Sequence, residues 1–170
     1  MPLDLTGPDQ TVVATLNYLL PTAQKPVRWN VTPPAGIPVW NGIDDPREVA
    51  IHDARPYSDT FSLDTSGFAF VAAPTRIADF TDPTVVRDAY YAEVENLLRQ
   101  HLGAARVVVF DHNLRNALRA GPDDATYRPP VRRVHNDYTY VSSPQRVRDL
   151  LGAEAESLLR HRFAVVNVWR

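Results

Sequence analysis

The residues best placed to do chemistry stand in the run RRVHNDYTYV, residues 132–141. His135 and Asp137 are separated there by one residue, in a segment whose composition favours a β-strand. On a strand, residues i and i+2 point to the same face and lie about 6–7 Å apart along the chain, so an imidazole and a carboxylate could share one cation. The same run also suits a turn, because Asn136 and Asp137 both favour turns and His135 can hydrogen-bond within one.

The ligand types of such a pair indicate which metal it would bind. Two histidines and one carboxylate on one face of an octahedron form the non-haem Fe(II) site, which leaves three positions open. His135 and Asp137 supply two of these three ligands. A His-x-Asp pattern arises often by chance, so the residues alone leave both an iron pair and a structural turn open.

A second candidate pair lies in FDHNLR, where His112 and Arg115 end a predicted strand and could project into a pocket. The alternative is a surface ion pair between Asp111 and Arg115, and the residue types favour this reading. In the final NVWR, Asn167 and Arg170 are further candidates for residues near a substrate or cofactor.

These residues must be positioned by strands and by a few helices. Asp82 is a helix N-cap with Pro83 at the first helical position, and Gly103 ends that helix. Residues 142–163 predict one or two short helices with a break at Gly152. Strands are predicted at 11–20 (with a short helix as the alternative), 48–56, 104–115, 132–141 and 162–170, and as two short strands around a turn at 64–67 within 61–74.

Composition bounds the class of protein. The length of 170 residues fits a single domain, in which 15 scattered prolines and an extended, loop-rich leader at residues 1–47 indicate many strand and loop boundaries. The absence of cysteine excludes disulfides, and a net charge of −2 without a basic block argues against a nucleic-acid partner. No apolar run reaches the ~18 residues of a membrane span, and the N-terminus has no secretory signal, so we expect a cytoplasmic protein without a membrane partner.

Four segments, in order, carry a resemblance to a known family: LDTSGFAF, YYAEVENLLRQHLGAARVVVFDHNLR, RPPVRRVHNDYT and NVWR. From residue 49 to residue 170 the chain resembles the hydroxylase/desaturase family of bacterial and fungal secondary metabolism, which is related to the second component of the cephalosporin 7-alpha-methoxylase. The resemblance implies a mainly β fold with flanking helices (α+β) and a partial double-stranded β-helix (jelly-roll) core. It also implies Fe(II) and 2-oxoglutarate as cofactors and oxidation of a small-molecule substrate. His135 and Asp137 would then be the first two iron ligands, with Tyr138 in the pocket wall.

The chain departs from the family pattern at its end. Family members continue past NVWR into strands that carry a distal histidine and a basic residue for 2-oxoglutarate. After Asp137 this sequence has one histidine, His161, at the end of a predicted helix, and Arg170 is the remaining candidate for the basic residue. We therefore expect a truncated N-terminal part of an oxygenase, inactive or weak by itself. The alternative is a non-catalytic accessory or binding subunit, which pairs its open sheet edge with itself or with another subunit.

Overall fold

The computed structural model describes residues 11–121 and 126–170. Its contacts divide the chain into two compact units. The first contains the described residues up to Val71 together with Val131–His135, and the second contains those of Ala72–Pro130 and Asn136–Arg170.

A β-hairpin is the main element of the first unit. Strand β1 (Thr11–Leu19) pairs antiparallel with β2 (Asp44–His52) along its whole length. Residues rich in valine and threonine favour β1, and Pro46 is tolerated in β2 because the sheet has two strands and therefore only edges. Of the strand and the short helix left open at 11–20, the strand forms, and the strand predicted at 48–56 begins earlier and ends at His52.

A 3₁₀ helix (Arg55–Thr60) and one turn of α-helix, α1 (Leu63–Ser66), follow the hairpin. The Ser62 hydroxyl accepts a hydrogen bond from the backbone of Thr65, and Gly67 ends the turn at φ +76°. The two short strands predicted within 61–74 are therefore wrong, because a serine cap and a left-handed glycine close a helical turn there. The flanking phenylalanines form a cluster with ring centroids 4.5–6.2 Å apart, made of Phe61, Phe68 and Phe70.

The longest helical segment lies in the second unit. Helix α2 (Pro83–Val85) passes through a π-helical turn (Val86–Tyr90) into α3 (Tyr91–Leu102). The predicted boundaries are confirmed: the Asp82 carboxylate accepts hydrogen bonds from two backbone N–H groups of the first turn, and Gly103 ends α3 at φ +61°. Within this segment, Val86 and Val94 are both buried.

Two short helices follow the candidate site, as predicted. Helix α4 (Ser142–Leu151) ends at Gly152, which has φ +51°, and a 3₁₀ turn (Gly152–Glu154) leads into α5 (Ala155–Leu158). None of the described helices is long and apolar enough to cross a bilayer.

Most of the strands predicted after residue 103 do not form among the described residues. Pairing there is limited to β3 (Leu114–Arg115) with β4 (Tyr127–Arg128), in parallel, and to an isolated bridge between Asn17 and Arg133. The strand predictions at 104–115, 132–141 and 162–170 are therefore wrong, apart from the last two residues of the first. A strand needs a hydrogen-bonded neighbour, and an alternating apolar pattern does not supply one.

Candidate functional site

His135 follows directly after a segment that is held on the hairpin. The backbone N–H of Val134 donates to the carbonyl oxygen of Asn17 at 2.9 Å. The Arg133 guanidinium donates to the Asp44 carboxylate at 2.6 Å, and its central carbon lies 4.7 Å from the centre of the Trp40 ring. Backbone, charge and aromatic contacts therefore fix the chain immediately before His135.

The imidazole of His135 has a defined tautomer in this arrangement. Its Nδ1 lies 2.8 Å from the carbonyl oxygen of Arg133. A carbonyl oxygen only accepts, so Nδ1 must carry the proton of this hydrogen bond. In a neutral ring the lone pair is then on Nε2, and metal-ligating histidines commonly show this arrangement.

The carboxylate of Asp137 is held by a residue that lies later in the sequence. Its Oδ2 accepts a hydrogen bond from the Asn167 side-chain amide at 2.7 Å. The next residue, Tyr138, accepts a hydrogen bond at its hydroxyl from Arg146 of helix α4 at 3.1 Å, and its ring lies 6.3 Å from that of Phe110. Arg146 also lies over both aromatic rings.

The donor types of His135 and Asp137 fit Fe(II), which binds imidazole and carboxylate together. All five histidines of the sequence lie within the described ranges. Across those ranges, however, no group of three or more His, Asp or Glu side chains is arranged to hold a metal. The described residues thus provide two candidate ligands and not a complete set.

His112 and Arg115 make separate contacts. The Tyr91 hydroxyl lies 2.8 Å from His112 Nδ1, and burial together with the negative charge of Asp111 raises the pKa of Tyr91. Arg115 donates to the carbonyl oxygen of Pro129, and the ion pairs in the described ranges do not include one with Asp111. The favoured Asp111–Arg115 pair is therefore wrong, because a backbone carbonyl takes the guanidinium instead.

Arg170 lies in a cleft of about 380 Å³ beside helix α3. Its guanidinium donates to the carbonyl of Ala73 at 2.7 Å and to the Tyr90 hydroxyl at 3.3 Å. Glu93 in the same cleft accepts a hydrogen bond from the Thr75 hydroxyl, which is the main cause of a lowered Glu93 pKa. Of the candidate residues, Asn167 therefore hydrogen-bonds to Asp137. The described contacts of the others are with groups outside the candidate pair, namely those of His112, Arg115 and Arg170.

Apart from Asn167, the residues that hold the candidate pair in place were not among the candidates from the sequence. Asp44 and Trp40 come from the hairpin region, and Arg146 comes from the exposed side of helix α4. The one local signal is the double arginine before Val134, of which Arg133 is the anchor. The rest are contacts between distant positions, which no local pattern marks.

Comparisons with known proteins find relatives that are named as oxidoreductases, dioxygenases and hydroxylase/desaturases. An oxidoreductase of Emericella nidulans is 31% identical to the chain, across 99% of it and 58% of the relative. An Fe(II)/2-oxoglutarate-dependent dioxygenase of Aspergillus novofumigatus is 34% identical, across 84% of the chain and 52% of the relative. A hydroxylase/desaturase of Cercospora beticola is also 34% identical, across 73% of the chain and 42% of the relative. The chain therefore spans about half the length of these relatives.

A solved structure has the same fold over most of the chain. It is the iron and alpha-ketoglutarate-dependent endoperoxidase NvfI, which superposes with a TM-score of 0.77 at 29% identity, covering 89% of this chain and 56% of the other. A family model described as "Oxidoreductase/YMDC permease-like domain" matches residues 16–170. The chain belongs to this oxidoreductase family.

Proposed function

We propose that the chain is the ligand-bearing part of a non-haem Fe(II)/2-oxoglutarate-dependent oxidoreductase that hydroxylates or desaturates a small molecule. The observation that supports this most strongly is the superposition on an iron and alpha-ketoglutarate-dependent enzyme over 89% of the chain. The finer assignments, a jelly-roll core and a relation to the cephalosporin methoxylase component, belong to the same proposal. They rest on the four resembling segments.

His135 and Asp137 are the proposed metal ligands. The Arg133 carbonyl fixes the proton of His135 on Nδ1, so Nε2 would be the atom that binds the metal. Asp137 offers a carboxylate two residues further along. Bound iron and 2-oxoglutarate would supply the oxidising chemistry, while these side chains bind and orient the metal.

Tyr138 and Arg146 are proposed to form one wall of the substrate cavity. They line an open cleft of about 480 Å³ together with Gln145 and Asp149. An aromatic ring and a guanidinium held over it present both an apolar surface and a positive charge to a small molecule.

Residues 1–170 are proposed to provide an incomplete site. His161 follows helix α5, and its backbone N–H donates to the carbonyl oxygen of Leu158. Among the described residues, His161 does not belong to a group of three or more His, Asp or Glu side chains that could hold a metal. We therefore expect a polypeptide of residues 1–170 to bind Fe(II) weakly and to turn over little 2-oxoglutarate.

The test uses the protein made from its complete reading frame. Succinate formation from 2-oxoglutarate is measured anaerobically and after oxygen is admitted, with wild type, His135→Ala, Asp137→Ala and the control His161→Ala. We expect oxygen-dependent succinate from the wild type and from His161→Ala, and none above background from the other two. Equal succinate formation by Asp137→Ala and wild type would overturn the proposed ligand.

A further inference from the structure

The segment that carries Asp137 lacks the support a sheet would give. No strand includes residues 134–141 among those described, and the nearest bridge ends at Arg133. A metal-ligating carboxylate must nevertheless keep one direction, because metal sites tolerate little error in ligand geometry. The direction of Asp137 must therefore come from side-chain contacts.

Asn167 makes such a contact across 30 positions of sequence. The distance of 2.7 Å between Asn167 Nδ2 and Asp137 Oδ2 is that of a strong, charge-assisted hydrogen bond. An ionised carboxylate only accepts, so the amide must present its NH₂ group to it, and this fixes the orientation of the amide.

One hydrogen bond of this kind restricts the carboxylate in a specific way. It ties Oδ2 to the C-terminal segment, so rotation of the carboxylate plane costs that bond and Oδ1 keeps one direction. On the next residue, the bond from Arg146 to the Tyr138 hydroxyl restrains the same stretch of chain from helix α4.

We infer that Asn167 is a positioning residue, whose amide sets the carboxylate of Asp137 for metal binding. This inference rests on the proposed function, in which Asp137 is a ligand. Partners of this kind typically change metal affinity by about 10–100-fold when they are removed.

The competing explanation is an ordinary surface hydrogen bond without a role in metal binding. Asp137 and Asn167 are both exposed, so their bond should contribute little to the stability of the fold. Metal affinity and thermal stability therefore separate the two explanations, because a positioning role changes the former and leaves the latter nearly constant.

The experiment is an anaerobic titration of the protein from its complete reading frame with Co(II), followed by the visible absorption of the bound ion. The variants are Asn167→Ala, Asn167→Leu, which keeps the side-chain size without the amide, Asp137→Ala, and the control Asn96→Ala at an exposed position of α3. We expect both Asn167 variants to bind Co(II) about 10–100-fold more weakly with an altered absorption spectrum, while the metal-free Tm of each stays within about 2 °C of wild type. Asn96→Ala should match wild type throughout.

The outcomes distinguish the two claims. If Asp137→Ala abolishes binding but both Asn167 variants bind like wild type, the positioning role is overturned and the proposed function stands. If Asp137→Ala binds like wild type, the proposed function fails and the inference fails with it. If Asn167→Ala loses its fold, Asn167→Leu decides, since wild-type affinity in that variant alone overturns the inference.

Discussion

At the scale of single residues, each candidate ligand lies in a stretch of chain that is held by contacts to distant residues. His135 follows an arginine that is bound to the hairpin through Asp44 and Trp40, and Asp137 is bound by Asn167. The His-x-Asp pattern itself could be found in the sequence. The contacts that hold the pair could not, because each joins positions far apart in the chain, although Asn167 itself was a candidate.

Arg133 should affect metal binding although it is not a ligand. Arg133→Ala removes both the ion pair with Asp44 and the contact with Trp40, so the segment before His135 loses its fixed position. We expect Co(II) affinity to fall about tenfold, at the lower end of the range for residues that support a metal ligand without binding the metal. The neighbouring Arg132→Ala is the control, and equal affinity in both variants would contradict an anchoring role.

Glu93 offers a test of local electrostatics. The hydrogen bond from Thr75, with smaller contributions from Arg76 and Arg170, lowers the pKa of Glu93 below its ordinary value. The carboxylate therefore stabilises the fold above the ordinary glutamate pKa, and this contribution is lost as the pH falls through the lowered one. Thr75→Val should raise the Glu93 pKa measured by NMR titration, whereas Thr75→Ser should retain it. An unchanged pKa in Thr75→Val would show that the hydroxyl is not the cause.

At the scale of elements, helix boundaries were predictable, and so was the strand at Thr11–Leu19, but the strands after residue 103 were not. Asp82, Pro83 and Gly103 act on their own backbone, so a few residues of sequence are enough to place both ends of the helix. The strands predicted after residue 103 need hydrogen-bonded partners elsewhere in the chain. Their alternating apolar residues indicate an extended backbone but do not indicate which segment would pair with it. The turn at α1 was located correctly but its conformation was not, although Ser62 and Gly67 are cap residues visible in the sequence.

The cap of α2 can be tested directly. Asp82→Ala removes the acceptor of two backbone hydrogen bonds, and we expect a loss of about 1 kcal/mol in the free energy of unfolding. Asp88→Ala, at an exposed position of the π-helical turn, removes the same charge without removing a cap. Urea denaturation measures both, and equal losses would mean that charge and not capping stabilises this end.

At the scale of the whole molecule, few apolar side chains of the described residues are buried. The buried apolar residues among those described are Val86, Val94 and Ala155, whereas Val12 is 66% exposed and Trp169 is 79% exposed. The chain also spans about half the length of its relatives, 58% of one and 52% of another.

A polypeptide limited to residues 1–170 should therefore show its exposed apolar surface. We expect it to enhance the fluorescence of the dye ANS at neutral pH without denaturant, because contiguous exposed apolar groups bind this dye. A lack of enhancement, in a sample shown to be folded by circular dichroism, would mean that these side chains are covered in solution.

The central claim is that His135 and Asp137 bind a catalytic metal, and one measurement tests it most directly. The protein from its complete reading frame is titrated with Fe(II) under anaerobic conditions in the presence of 2-oxoglutarate, and the charge-transfer absorption of the ternary complex is recorded. We predict saturation at about one Fe(II) per chain. His135→Ala and Asp137→Ala should each lose more than about 100-fold in Fe(II) affinity, which is beyond the range for residues that only support a ligand. Wild-type saturation in either variant would contradict the claim.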